Sequence, residues 1–477
     1  MPRSRLAWAL LGLAALLRAA LALLRPLQVD EAYSLHVAAL PLQQGLQILR
    51  SLDVHPPLFL YLLHGWLALH SSDGAIRLRM VVFGVASVWL LYAIVLRWHG
   101  PRAAVVAMLC ASAMPSLIFY DSMIRMYAPF DTLALLSFLL LSILLTRSDL
   151  SVAGRRALWV GWVLVSALSW YTLYLGFFIT LAQLLYVALL RRDALPRALL
   201  GTACAAVAFA PQWSTLAYQL PRGGLAFPFY AQHQLQALLE LAGQATIAVQ
   251  MHGNDVLAIA AGVLAWGWMA AALALAAPGN RASLALWLGA PAALTLAYGV
   301  LAHKLLYADR YYLLLAYALC AWTGVAVDRL AQRIPARATR PAALLAAGVL
   351  LGIAVLYVFN PVLYTANWPG VAALLRTRSQ PNDLIVFDQG SPFFVLERGT
   401  SLGRHPLLVV LRRSDVAGSI RLSQTFNRVW LVLFQSGPVD PDNALFSALR
   451  ARRTVAGVWS YPRALPAENV EVILFER

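Results

Sequence analysis

The chain has 477 residues, of which 61% are hydrophobic and only 12% charged, and its mean hydropathy is +0.69. A globular protein carries about 25% charged residues, so this composition excludes a water-soluble fold. The formal charge of +16 would suit a nucleic-acid partner, but the arginines stand singly or in pairs between apolar runs and form no basic face.

Most apolar residues fall in Leu- and Ala-rich runs of roughly 17–23, the length a helix needs to cross a hydrocarbon core about 30 Å thick. The first run, 6–24, follows Arg3 and Arg5 as a signal peptide would. No small-residue cleavage site precedes Gln28-Val29-Asp30-Glu31, so an uncleaved span is predicted. Further runs lie near 56–70, 80–96, 103–119, 128–146, 157–173, 174–190, 198–217, 255–277, 282–302, 311–328 and 341–360. Lys and Arg collect in cytoplasmic loops. Arg147, Arg155 and Arg156, then Arg191, Arg192 and Arg197, then Arg329, Arg333, Arg337 and Arg340 therefore mark the inner side. Counting from these anchors leaves both ends of 56–70 outside. That run opens with His55-Pro56-Pro57 and is predicted to lie along the outer interface, with His64, Trp66 and His70 at headgroup depth. About eleven transmembrane helices remain, with the N-terminus cytoplasmic. Two long segments, 25–78 and 218–254, face outward; the second holds Pro221-Arg222-Gly223-Gly224 and a stretch at 232–252 suited to an interfacial helix.

From about Asn367 charges and prolines return. Short β-type runs at Asp383–Asp388, Arg428–Phe434 and Val470–Phe475 alternate with helical patterns at 369–378 and 441–452, which predicts a small α/β domain. The expected fold class is an all-α polytopic membrane protein with a C-terminal extracytoplasmic α/β domain, divided as 1–362 and 363–477. Cys110, Cys204 and Cys320 each sit inside an apolar run, where cysteine behaves as a small hydrophobe. Arg18, inside the first run, has no partner that the sequence identifies.

The residues that could carry chemistry gather at the predicted outer ends of the spans. Asp30-Glu31 stands just beyond the first crossing, where a helix N-cap with an acidic first turn is the structural alternative. His55 shares that loop. The third crossing ends in Tyr120-Asp121-Ser122-Met123-Ile124-Arg125-Met126-Tyr127; ionisable groups at this depth mark function, although an Asp121–Arg125 pair four apart on a helix would also account for them. His303-Lys304 and Tyr307-Ala308-Asp309-Arg310-Tyr311 flank the ninth and tenth crossings. Lys304 is the only lysine of the chain and stands on the predicted outer side, as a phosphate-facing cation or as a snorkelling interfacial residue. Carboxylates at Asp30, Glu31 and Asp121, with cations at Arg125, Lys304 and Arg310, fit sugar transfer from a lipid phosphate. That reaction needs a base for the acceptor hydroxyl and cations for the leaving phosphate. No phosphate-binding Gly-rich loop, HExxH or CxxC array is present.

In these residues the chain resembles bacterial membrane glycosyltransferases of the GT-C type, related to protein O-mannosyltransferases and to the aminoarabinose transferase of lipid A. The resemblance covers most of 5–330 and rests on Asp30-Glu31-Ala32-Tyr33, His55-Pro56-Pro57-Leu58, Arg125-Met126-Tyr127 and Arg310-Tyr311. It implies a polyprenyl-phosphate-linked sugar donor and an inverting single displacement. It also implies that Asp30 is the general base with Glu31 beside it, and that His55 and Arg310 contact the phosphate. Asp121 lies near the family's second acidic position, although the acid that often directly precedes the arginine is missing here.

The acceptor is expected to be a lipid, glycan or protein hydroxyl, and the localisation a bacterial cytoplasmic membrane. The three acids offer oxygen ligands for a divalent cation, to which the sequence does not commit. The rival reading is a transporter or lipid flippase. Its signature is ionisable groups near mid-membrane and interrupted spans in matching halves.

Overall fold

The computed structural model describes residues 5–477 apart from 54, 70–71, 222–238, 240, 242, 244, 246–255, 277–280, 284, 303–308, 334–335, 361–365, 400–402, 404, 435–438, 441 and 463–468. It divides into two compact units. One comprises Met1–Leu23 and Ala38–Phe359, the other Leu24–Val37 and Asn360–Arg477.

The first unit is helical. It begins with α1 (Arg5–Leu24); α2 (Val29–Ala39) belongs mostly to the second unit, and α3 (Leu42–Ser51) and α4 (Leu58–Ala68) follow. Next come α5 (Asp73–His99), α6 (Pro101–Ala113), α7 (Pro115–Tyr120), α8 (Tyr127–Thr146), α9 (Val152–Thr172), α10 (Gly176–Leu190), α11 (Leu195–Ala208) and α12 (Trp213–Gln219). The unit closes with α13 (Val256–Leu275), α14 (Ala290–Leu301), α15 (Leu313–Ala331) and α16 (Ala336–Phe359). Among the described residues α1, α5, α8 and α15 are each long and apolar enough to cross a bilayer alone. Two bent pairs, Arg192–Ala208 with Ala210–Gln219 and Arg281–Trp287 with Ala290–Leu301, would bring the number to six. The chain is thus a multi-pass membrane protein.

Local sequence explains where these helices break. The 11 residues of α4 rise only about 16 Å, half a hydrocarbon core. The run 103–119, expected as one span, is two helices, because Met114 is extended and Pro115 lacks the N–H that would bond the Ala111 carbonyl. The external stretch 232–252 lies almost wholly outside the described residues.

Close helix packing rests on small side chains, as it must where lipid is as apolar as the helices. On α6 Ala103, Ala104, Ala107 and Ala111 are buried, and α15 packs on that face. At Gly324 of α15 an added Cβ would fall on the Ala103 carbonyl oxygen. Gly324→Ala should therefore separate α6 from α15 and cost about 1–3 kcal/mol, read as a lowered midpoint of thermal unfolding in detergent.

The second unit is a three-layer α/β/α structure. Its five-stranded sheet runs in the order β2-β1-β3-β5-β4, with β1 (Leu384–Phe387), β2 (Leu407–Val409), β3 (Arg428–Leu433), β4 (Thr454–Tyr461) and β5 (Val470–Glu476). β1 pairs in parallel with β2 and β3, while β5 is antiparallel to both β3 and β4. The central strands are buried on both faces, which is why they read as continuous apolar runs. Ile385, Phe387, Trp430 and Val432 point into one core with α17 (Trp368–Arg378) and α18 (Gly390–Gly399). Leu384, Val386, Val429 and Leu431 point into the other with α19 (Val416–Ser423) and α20 (Ala444–Arg450).

Candidate active site

The acidic pair Asp30-Glu31 opens α2, and the structure separates the roles of its two members. Ala32 N–H donates to the Gln28 carbonyl at 2.9 Å, which makes Gln28 the N-cap. Glu31, three residues on, accepts from the Gln28 N–H at 3.0 Å through Oε2, the return bond of a capping box. Its other oxygen, Oε1, takes Arg25 Nη2 at 2.9 Å, and both side chains are fully buried. Glu31 is thereby held by the start of its own helix, while Asp30 is half-buried in the first turn.

In the first unit His55 pairs through Nδ1 with the Asp53 carboxylate, a partner that the sequence reading did not single out. An ionised carboxylate only accepts, so Nδ1 carries a proton and Nε2 is the ring atom left for a ligand. Nε2 is buried and has no hydrogen-bond partner among the described residues. The loop is held from behind: Gln219 Nε2 donates to the carbonyls of Leu49 at 2.8 Å and Asp53 at 3.2 Å, and Gln219 Oε1 accepts from the Tyr174 hydroxyl at 2.6 Å. An acid two residues from a histidine is a common local pattern, which is why Asp53 gave no signal. If His55 meets a phosphate, Asp53→Asn frees its ring to turn and should lower the donor kcat/KM by roughly ten- to a hundredfold, the size of one charged hydrogen bond. Steady-state kinetics at varied donor concentration would measure it.

The segment 121–126 is an irregular turn between α7 and α8. Asp121 and Arg125 therefore do not share a helix face, and the fully buried Asp121 meets Arg18 instead, Nε to Oδ2 at 2.8 Å. The Tyr317 hydroxyl reaches the same oxygen at 3.4 Å. Arg18 also donates to the carbonyls of Ala111 at 3.0 Å, Ser112 at 3.2 Å and Ala14 at 3.4 Å. Those of Ala111 and Ser112 are freed by the break at Met114-Pro115, so one guanidinium caps the end of α6 and neutralises Asp121. Gly84 on α5 makes room, because a Cβ there would overlap the Asp121 side chain. Asp131, buried on α8, was also missed. Arg125 is buried, and Tyr127 packs edge-on against Tyr120 with ring centres 5.4 Å apart.

Lys304 lies outside the described residues. Arg310 and Tyr311 occupy the single turn Asp309–Tyr311 that leads into α15, with the guanidinium 5.7 Å from the centre of the Tyr311 ring. Among the described residues no three His, Cys, Asp or Glu side chains gather as a metal ion would need.

Residues 54–214 match the family model described as dolichyl-phosphate-mannose-protein mannosyltransferase. No curated protein sequence matches the chain. Among solved structures, ArnT from Cupriavidus metallidurans bound to undecaprenyl phosphate is similar over 98% of both chains, with 16% identity and a TM-score of 0.51. The oligosaccharyltransferase of Archaeoglobus fulgidus tethered with an acceptor peptide is similar over 96% of this chain and 73% of that one, with 12% identity and a TM-score of 0.57. AglB of the same archaeon in complex with an inhibitory peptide and a dolichol-phosphate gives 13% identity and a TM-score of 0.55, over 98% of this chain and 74% of that one. The fold is the GT-C fold.

Proposed function

We propose that this chain, a glycosyltransferase of the GT-C type, moves a sugar from a polyprenyl-phosphate-linked donor to an acceptor hydroxyl on the outer face of the cytoplasmic membrane, with inversion. Asp30 removes the proton of the acceptor hydroxyl as that oxygen bonds to the anomeric carbon. The bond from that carbon to the phosphate breaks in the same step, and the lipid phosphate leaves with the electron pair. Arg125, Lys304 and Arg310 supply the positive charge that stabilises it, and His55 contacts it. In this reading 25–78 and 218–254 face outward with the 363–477 domain, and the membrane domain is 1–362 with its N-terminus in the cytoplasm.

The observation that carries the reading is the division of labour in α2, where Glu31 is buried against Arg25 and Asp30 stays half-accessible in the first turn. A base must be reachable by its substrate. The lipid phosphates bound to ArnT and to AglB support the donor class. The test is to supply the purified protein with polyprenyl-phosphate sugars and candidate lipid, glycan and peptide acceptors. Glycosyl product with release of lipid phosphate is the expected result. Uptake of labelled donor into sealed vesicles without product would favour transport instead.

A further inference from the structure

We propose that the C-terminal α/β domain is the mount of the helix that presents the general base, and that Phe394 and Glu397 of α18 are its positioning residues. The proposal rests on the reading of Asp30 as that base. Leu24–Val37 lies over 300 residues from the domain in sequence yet forms one compact unit with Asn360–Arg477. Ala32 is buried in the same core as Trp368, Val395, Leu396 and Phe434, and Val29 packs against it. The Tyr33 ring meets Phe394 edge-on with centres 5.4 Å apart, and His36 lies over the same ring at 4.9 Å. His36 Nδ1 stands 3.6 Å from Glu397 Oε2, one turn further along α18.

Positions 29, 32, 33 and 36 are spaced i, i+3, i+4 and i+7, the single face of a helix. The core packing of Val29 and Ala32, the ring contacts of Tyr33 and His36 and the approach of His36 to Glu397 all lie on that face. Asp30 lies off it, and its bearing is set by how that face is seated. A helix whose docking face loosens rotates or slides, and a misplacement of about 1 Å at a reacting group is enough to cost roughly a hundredfold in rate. The proposed reaction gives none of these side chains a phosphate to bind or a proton to move. The domain therefore acts on chemistry through α2.

Three readouts test this on the full-length protein. Phe394→Ala should lower kcat roughly 10- to 100-fold with the donor KM within about twofold of wild type, because a positioning change leaves donor binding intact. Phe394→Leu, which keeps an apolar body on α2, should recover most of the rate. Amide hydrogen exchange should quicken in 29–37 in Phe394→Ala while β1 and β3 stay protected, which separates a loosened helix from an unfolded domain. If β1 and β3 also lose protection, Tyr33→Ala, which leaves the domain intact, carries the same three measurements. In the double variant Phe394→Ala with Asp30→Asn, the rate should equal that of Asp30→Asn alone. Wild-type kcat and unchanged exchange in 29–37 would overturn the proposal while leaving Asp30 as the base. Full turnover by Asp30→Asn alone would instead remove the base on which it rests.

Discussion

Asp30→Asn should lower transfer to the acceptor by about 10²–10⁴-fold, the usual contribution of a positioned general base, with little change in donor KM and none in the unfolding midpoint. The substitution keeps size and shape, and removes the negative charge and with it the ability to take a proton. Its companion variant, Glu31→Gln, should behave differently. Glu31 is buried against Arg25 and bonded to the Gln28 N–H, so loss of its charge leaves a buried guanidinium without its counter-ion. It should show first as lowered thermal stability and only secondarily as lowered kcat. Measuring turnover and melting for both variants separates the assignments: equal turnover by Asp30→Asn and wild type would end the role of Asp30, and normal stability of Glu31→Gln would end the structural role of Glu31.

The pair also shows how far the sequence speaks. Its placement beyond the first apolar run marked both acids as candidates, and the structural alternative, a helix start with an acidic first turn, was visible in the same letters. What the letters lack is the partner: Arg25 reads as an ordinary flanking charge until the chain turns back on itself. The same limit hid Asp53 behind His55. In the α/β unit the strands buried on both faces were legible because each is an unbroken apolar run. β2 has three residues, and β4 is largely exposed with a register shift at Val455/Gly457, so neither rises above loop composition. α18 was missed because Gly390-Ser391-Pro392 reads as a turn, whereas proline is well suited to the first turn of a helix. The mount of α2 joins segments more than 300 residues apart, a distance at which no periodicity can be read.

Arg18→Met should destabilise the protein by about 3–5 kcal/mol, the cost of breaking one side of a buried ion pair, measured as a shift in the unfolding midpoint in mixed micelles. Within an apolar run an arginine looks like a liability to be carried to the surface, yet this one is fully buried. It meets Asp121 across 103 residues and at the same time fills the carbonyls that Pro115 and the extended Met114 leave without donors. The broken helix and the buried cation thus explain each other, since backbone carbonyls inside a bilayer must find a donor within the protein. This double duty predicts an asymmetry. Asp121→Asn removes only the charge partner and leaves Arg18 bonded to three carbonyls, so it should cost less than Arg18→Met. The double variant Arg18→Met with Asp121→Asn should recover the electrostatic part and no more, because the end of α6 stays uncapped. Full recovery in the double variant would mean that the carbonyl bonds contribute nothing, and that Arg18 is there for Asp121 alone.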